Sequence, residues 1–138
     1  MCSNSHNEKC HFNILVFPGG SEIGLEIHRA LAMCKEITLF SAGLDIPNHA
    51  SFVFRRHFAV PSIHEPYWIE ELNKIIDANA IHYVYPAYDD VIVALAQNME
   101  RIHARIVLPP SATCEITRSK SQTYQYFKGI LPVPEICR

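Results

Sequence analysis

Phe12-Asn13-Ile14-Leu15-Val16-Phe17-Pro18-Gly19-Gly20 is the stretch of sequence that decides the fold. Its first six residues form a short, mainly apolar run, which is typical of a parallel strand buried on both faces. Pro18 and the two glycines end this run, and apolar residues at helical spacing follow Ser21, a suitable N-cap residue. The stretch therefore predicts a strand that passes through a tight glycine turn directly into a helix.

Apolar runs and helical patterns alternate along the rest of the chain. The sequence predicts further strands at 36–41, 53–58, 81–85 and 105–108, and helices at 21–34, 66–78, 89–103 and 111–127. Strands that alternate with helices favour a parallel sheet covered on both faces. We therefore predict an α/β fold with an open, mainly parallel sheet in a three-layer, Rossmann-like arrangement. Asp89 or Asp90 is predicted to cap the helix at 89–103.

Composition excludes several classes of protein. The chain has 138 residues, of which 49% are apolar and 19% charged, as expected for one globular domain. A net charge of -2 and the lack of a basic run give no indication of nucleic-acid binding. No apolar run approaches the roughly 18 residues of a membrane span. Residues 1–11 are polar and are predicted to be a disordered tail, and five scattered cysteines indicate a cytoplasmic protein.

Two loops are candidate binding sites. In the glycine turn, Gly19 and Gly20 permit positive φ and close approach of a ligand, and free N–H groups beside Ser21 and Glu22 would attract an anion. Asp89 follows the strand at 81–85, at the sheet edge where open α/β folds bind ligands. The dinucleotide fingerprint Gly-x-Gly-x-x-Gly is absent, however, because the glycines fall at 19, 20 and 24.

A second sequence pattern is compatible with an oxidoreductase, which is therefore an alternative function. Tyr124 and Lys128 form Tyr-x-x-x-Lys, and Ser111 precedes Tyr124 by thirteen residues. This is the arrangement of short-chain dehydrogenases, in which the lysine lowers the tyrosine pKa for proton transfer. The glycine turn lacks the third glycine of those enzymes, since position 26 is Glu, and the strand at 81–85 is not followed by their Asn-Asn-Ala-Gly segment. An NAD(P)-binding, Rossmann-type oxidoreductase fragment is thus the alternative hypothesis, and a stand-alone flavodoxin-like binding module is a third.

Four segments in order resemble the N-terminal, pre-ATP-grasp module of ATP-grasp ligases, especially the carbamoyl-phosphate-synthase-like group. They are the strand and turn at 13–20, Pro86-Ala87-Tyr88-Asp89, the stretch 114–124 that contains Ser119-Lys120, and Leu131-Pro132-Val133-Pro134. The resemblance covers roughly residues 12–138. The last segment is similar to the entry into the ATP-grasp domain of that family.

The resemblance implies a full-length ligase that spends ATP, with Mg²⁺, to activate a carboxylate substrate as an acyl phosphate. It implies that Lys120 contacts the nucleotide phosphates, although Ser119 stands where the family usually has Asp. It also implies that Gly19, Gly20, Ser21, Glu22 and Asp89 lie at the substrate cleft. No residue of this chain is predicted to be catalytic or to bind a metal.

The resemblance further implies a domain organisation. Residues 12–110 would form the pre-ATP-grasp domain, and 111–138 a helix and the truncated start of the ATP-grasp domain. The Mg²⁺ ligands and the adenine site would lie beyond Arg138, so this chain is expected to be inactive alone and to bind no nucleotide tightly. Its partner would be the missing ATP-grasp domain, and the apolar end at 130–133 would favour homodimer formation.

Overall fold

A computed structural model of the protein describes residues 10–135, and its centre is a five-stranded sheet. The strands are β1 (Phe12–Phe17), β2 (Ile37–Gly43), β3 (His57–Ala59), β4 (Tyr83–Pro86) and β5 (Arg105–Ile106). Their order is β3-β2-β1-β4-β5, and every pairing is parallel. The predicted open, parallel α/β sheet is confirmed. Of the predicted disordered tail, residues 1–9 lie outside the described residues.

Helices cover both faces of the sheet. They are α1 (Glu22–Leu31), α2 (Ala50–Val53), α3 (Trp68–Ala78), α4 (Asp89–Gln97), a 3₁₀ turn (Met99–Arg101), α5 (Ser111–Arg118) and α6 (Lys120–Phe127). Each βαβ crossover places its helix on one face, which produces the predicted three layers. Among the described residues, no helix has the length and the apolar composition that a membrane crossing requires.

Two apolar cores separate these layers, because alternate residues of each strand point to opposite faces. On one face, Leu15 and Phe17 pack with apolar residues of α3 and α4, including Leu72 and Leu95. On the other face, Val16 packs with residues of α1 and α2 and with the loops that follow them. The central strands are therefore buried on both sides, as their sequences predict.

Three details of the sequence prediction are wrong. The strand predicted at 53–58 begins only at His57, because Val53 ends a short helix, α2, whose first residue Ala50 is buried in the core. Neither Asp89 nor Asp90 caps α4, since Tyr88 holds the N-cap position and both aspartates lie in the first turn. The helix predicted at 89–103 ends at Gln97, and a 3₁₀ turn follows it in which Met99 is exposed.

The polar segment that starts at Ser111 is two helices rather than one. Ser119 has an extended conformation and separates α5 from α6. Helix α5 packs against α4, and Cys114 buries its side chain in that contact. The predicted domain boundary at 110/111 stays a prediction.

Candidate functional site

The glycine turn between β1 and α1 is shaped by steric fit. The amide of Gly19 donates to the carbonyl of Ala42 (2.9 Å), which brings the turn against β2. A Cβ atom on Gly19 would overlap the Cβ atom of buried Ser41, and one on Gly20 would lie 2.8 Å from Cγ of Asn48. Neither glycine has a positive φ, so that part of the sequence prediction is wrong. Glycine is needed here because β2 and the loop after it approach the turn too closely for any side chain.

Ser21 begins α1 in the way that its sequence position predicts. Its Oγ accepts a hydrogen bond from the amide of Gly24 (2.9 Å) and lies 3.1 Å from the carbonyl oxygen of Pro18 and 3.0 Å from that of Ala87. The hydroxyl has one proton, which these two carbonyl oxygens share. The Ser21 side chain is therefore fully used in holding the turn, and only its main chain is available to a ligand.

The two predicted binding loops are joined to each other. The amide of Ala87 donates to the carbonyl of Phe17 (2.8 Å), and the Ser21 hydroxyl reaches the carbonyl of the same Ala87. This pairing continues the register of β1 and β4 past their ends. The glycine turn and the β4–α4 turn therefore form one rigid edge of the sheet.

A cleft of about 350 Å³ lies along this edge. Four segments that follow strands line it: the glycine turn after β1, residues 43–48 after β2, residues 61–64 after β3, and residues 88–91 after β4. This is the carboxyl edge of a parallel sheet, where open α/β folds bind ligands. The volume is at the lower end of the roughly 300–1,000 Å³ typical of small-molecule sites.

The amino end of α1 offers free hydrogen-bond donors at the cleft. Within residues 10–135, the amides of Gly20, Ser21, Glu22 and Ile23 donate to no protein acceptor. Gly20 and Ser21 line the cleft. Unpaired amides at the start of a ten-residue helix carry a partial positive charge, and this charge favours a single anionic group.

The predicted site residues are only partly brought together. Gly20 and Ser21 line the cleft, and Gly19 is buried directly behind it. Glu22 and Asp89 are exposed and do not line the cleft. Lys120 is exposed at the first position of α6, also outside the lining.

Asp90 is a cleft residue, although the sequence prediction assigned the substrate contact to Asp89. Asp90 lines the cleft, and its carboxylate accepts a hydrogen bond from Nε of Arg118, which ends α5, and forms an ion pair with Nη2 of the same residue. Asn48 and Ile63 also line the cleft from loops without periodic pattern. A candidate signal existed for Asp90, because it follows a strand at the carboxyl edge, but none existed for the loop residues.

Ser41, His57 and Asp45 are a second polar group beside the cleft. The Oγ atom of Ser41 lies 2.8 Å from Nδ1 of His57. Burial lowers the pKa of His57, and the negative charge of Asp45 partly opposes this shift. Ser41 is completely buried against Gly19, so its hydroxyl cannot act as a nucleophile. The group stabilises the contact between β2 and β3.

The residues of the oxidoreductase pattern do not assemble at the cleft. Tyr124 lies within α6, Lys128 follows the end of that helix, and Ser111 is the first residue of α5. None of the three lines the cleft. No metal site is found either, since residues 10–135 contain no cluster of three or more His, Cys, Asp or Glu side chains that could hold an ion.

Fold and cleft together define an α/β domain with a cleft at the carboxyl edge of its parallel sheet. No protein-family model matches the sequence, and no curated protein matches it. Solved structures do match the fold. Pyruvate carboxylase from Rhizobium etli superposes with a TM-score of 0.66 and 15% identity, over 90% of this chain and 14% of that chain.

Two further solved structures match the same region. Glycinamide-RNase-transformylase T from Mycobacterium tuberculosis has a TM-score of 0.62 and 15% identity, over 86% of this chain and 35% of that one. The biotin carboxylase domain of 2-oxoglutarate carboxylase from Hydrogenobacter thermophilus, solved with MgADP, ADP and bicarbonate, has a TM-score of 0.59 and 13% identity, over 85% and 27% of the two chains.

These three proteins are ATP-grasp enzymes, and the part that matches is their N-terminal, pre-ATP-grasp portion. At such low identity the likeness establishes the fold alone. The predicted Rossmann-like, pre-ATP-grasp fold is therefore confirmed. This chain spans between 14% and 35% of the length of the three solved chains.

Proposed function

We propose that this chain is the N-terminal, substrate-side domain of an ATP-dependent carboxylate ligase of the carbamoyl-phosphate-synthase-like type. The observation that carries the proposal is the cleft at the carboxyl edge of a pre-ATP-grasp fold, with unpaired amides of α1 at one side. In this proposal the cleft holds the carboxylate substrate. A separate ATP-grasp domain converts that carboxylate to an acyl phosphate, which then reacts with a nucleophile.

ATP and Mg²⁺ belong to the ATP-grasp domain in this proposal. The residues described here offer no cluster of metal ligands, so they do not fit a Mg²⁺ ion. One of the matching enzymes was solved with MgADP, which supports ATP and Mg²⁺ as cofactors of the complete protein. Lys120 is the one residue of this chain that we assign to the nucleotide, as a point charge for its phosphates.

The turn after β1 is the part of the chain that we assign to the substrate. Gly19 and Gly20 keep this backbone close to β2 and to the loop after it, while the unpaired amides of Ser21 and Glu22 lie at the amino end of α1. Asp89 is exposed between the cleft residues Tyr88 and Asp90, and we assign it to the rim of the same site. The domain boundary at 110/111 and a cytoplasmic location are further parts of the proposal.

In this proposal the ATP-grasp domain would contact the apolar segment at 126–131. Tyr126, Ile130 and Leu131 are between 56% and 69% exposed, which is unusual for three neighbouring large apolar side chains. The ATP-grasp domain would cover them in the complete protein. A second copy of the chain would cover them when that domain is absent.

The decisive experiment compares this chain with and without an ATP-grasp domain encoded downstream of Arg138 or beside it in the genome. We expect no ADP formation from the 138-residue chain. With the added domain, we expect ADP formation that depends on a carboxylate, and hydroxylamine should trap the acyl phosphate as a hydroxamate. ATP hydrolysis by the chain alone would overturn the proposal.

A thermal-shift measurement tests the oxidoreductase alternative separately. The ligase proposal predicts that neither NADH nor NADPH raises the melting temperature of the chain. Stabilisation by either nucleotide that is lost in Tyr124→Phe and kept in Tyr126→Phe, a neighbouring tyrosine outside the pattern, would favour the alternative.

A further inference from the structure

We propose that the cleft accepts a small, mainly apolar monocarboxylate and excludes phosphorylated substrates. This inference rests on the proposed function, because it names the substrate class of the same site. It is carried by the side chains and charges that line the cleft. The inference concerns this chain alone, because it rests on the residues that line its own cleft.

Apolar side chains form most of the cleft. Phe17 and Val91 are buried at its base, and Leu44, Ile46 and Ile63 contribute from the loops after β2 and β3. Leu44 and Ile46 remain 47% and 60% exposed, so a ligand could still cover much of their surface. Covering exposed apolar surface is favourable in proportion to its area, and a hydrocarbon group would gain most here.

The charges at the cleft do not suit a phosphate group. Among the described residues that line it, none is a lysine or an arginine. Asp90 contributes a carboxylate, and the guanidinium of Arg118 is already paired with it. Phosphate sites usually combine several backbone amides with Arg or Lys side chains. The lining holds one histidine, His64, so a dianionic phosphate here would face Asp90 with at most a single imidazole to offset the repulsion.

A single carboxylate has a place to bind. The unpaired amides at Gly20 and Ser21 lie at the cleft, and the amino end of α1 adds the partial charge of its dipole. Glu22 is exposed to solvent and does not line the cleft, so water screens its charge. The cleft thus pairs one weak anion site with an apolar chamber of about 350 Å³.

The test uses ¹⁵N-labelled protein and three probes. They are 3-phenylpropionate, an apolar monocarboxylate; ribose 5-phosphate, a phosphorylated sugar; and inorganic phosphate. We expect 3-phenylpropionate to shift the amide signals of Gly20, Ser21 and Val91 in a saturable way, while the two phosphates leave them unchanged. Stronger binding of either phosphate, or no response of these amides to 3-phenylpropionate, would overturn the inference.

A matched pair of variants locates the effect. Ile46→Arg places a cation on the cleft wall, whereas Met33→Arg makes the same change at an 89% exposed methionine outside the cleft. Ile46→Arg should weaken 3-phenylpropionate about five- to tenfold, because it removes apolar contact area, and should allow phosphate to bind. Met33→Arg should change neither. Equal effects of the two variants would contradict the assigned site.

The binding result is independent of the ligase test. Saturable binding of 3-phenylpropionate without any ATP-dependent turnover in the completed protein would keep the substrate class and reject the proposed function. Turnover of a phosphorylated carboxylate by the completed protein would keep the proposed ligase function and reject the substrate class. The two failures are therefore distinguishable.

Discussion

Arg118 at the end of α5 forms a forked ion pair with Asp90 in the first turn of α4. Both Nη2 (2.9 Å) and Nε (3.1 Å) of the guanidinium reach Oδ1 of the carboxylate. The two residues are 28 positions apart, so the pair fastens α5 to the cleft. Because Asp90 lines the cleft, its neutralisation by Arg118 also sets the local charge that an anionic ligand meets.

Removing Arg118 should weaken the binding of an anionic ligand, whereas the free energy of unfolding should change little. Both side chains are about half exposed, so Arg118→Met should cost only about 0.5 kcal/mol in the free energy of unfolding. The unpaired Asp90 should weaken 3-phenylpropionate about threefold, through Coulomb repulsion in water. Titration by NMR measures the affinity. The double variant Arg118→Met with Asp90→Asn should recover wild-type affinity.

The control for this experiment is the ion pair between Arg29 and Glu26. It is a single contact from Nη1 to Oε1 (2.6 Å) within α1, where both side chains are about two-thirds exposed. Arg29→Met should leave the affinity for 3-phenylpropionate unchanged. If Arg118→Met also leaves it unchanged, Asp90 does not influence the ligand.

Gly19→Ala should destabilise the protein because the new Cβ atom would overlap Ser41. Buried overpacking usually costs about 1–3 kcal/mol, which urea unfolding can resolve. Gly43→Ala is the control, since its Cβ atom would lie 3.4 Å from Cε1 of His57, an ordinary contact. Gly43→Ala should lower the free energy of unfolding by less than Gly19→Ala does.

A double-mutant cycle shows whether that overlap is the cause. Ser41→Gly removes the atoms that a Cβ atom on Gly19 would meet, so Gly19→Ala should cost less in the Ser41→Gly background. The same cost in both backgrounds would mean that Gly19 is required for another reason.

Stability should fall as the pH drops below the ordinary pKa of histidine, and His57 should contribute to this fall. Burial lowers the pKa of His57 in the folded protein from 6.5, so the unfolded chain binds the proton more readily. The stabilisation from neutral His57 is therefore complete above pH 6.5 and is lost as the pH falls from there toward the folded pKa. Urea unfolding at about pH 7.5 and 5.5 measures the difference.

Two variants isolate the contribution of His57. His57→Asn keeps a polar group near Ser41 but does not titrate, so it should lose less stability on acidification than the wild type. Asp45→Asn removes the charge that raises the pKa, and it should therefore increase the loss. An identical pH profile for all three proteins would exclude His57 as a contributor.

Local sequence predicted the sheet because β1 and β4 are apolar on both faces and are each followed by a helix. It failed at Val53, which favours a strand by its branched side chain but ends the short helix α2, where Ala50 packs into the core. The carboxyl-edge rule located the cleft. The rule could not predict that Ile46 and Ile63 line the cleft, because contacts between segments distant in sequence bring these loop residues to it.

Replacing Lys120 should change the KM for ATP of the completed protein but neither the stability of this chain nor its ligand binding. The lysine is exposed at the start of α6 and outside the cleft, so Lys120→Met should leave stability and 3-phenylpropionate binding unchanged. In the protein completed with an ATP-grasp domain, it should raise the KM for ATP about tenfold, the expected loss of one charge-assisted hydrogen bond. Lys128→Met, at the other end of the helix, is the control. Equal KM values for the two variants would remove Lys120 from the proposed site.

The exposed apolar end should make the isolated chain associate with itself. Ile130 and Leu131 are 69% and 56% exposed, and covering them in a dimer would remove apolar surface from water. Light scattering across a concentration series should show a dimer that Ile130→Ser with Leu131→Ser weakens. Phe52→Ser, at a 90% exposed residue outside that region, should not weaken it. Added ATP-grasp domain should compete with the dimer, because both would cover the same side chains; a dimer that persists unchanged in its presence would separate the two surfaces.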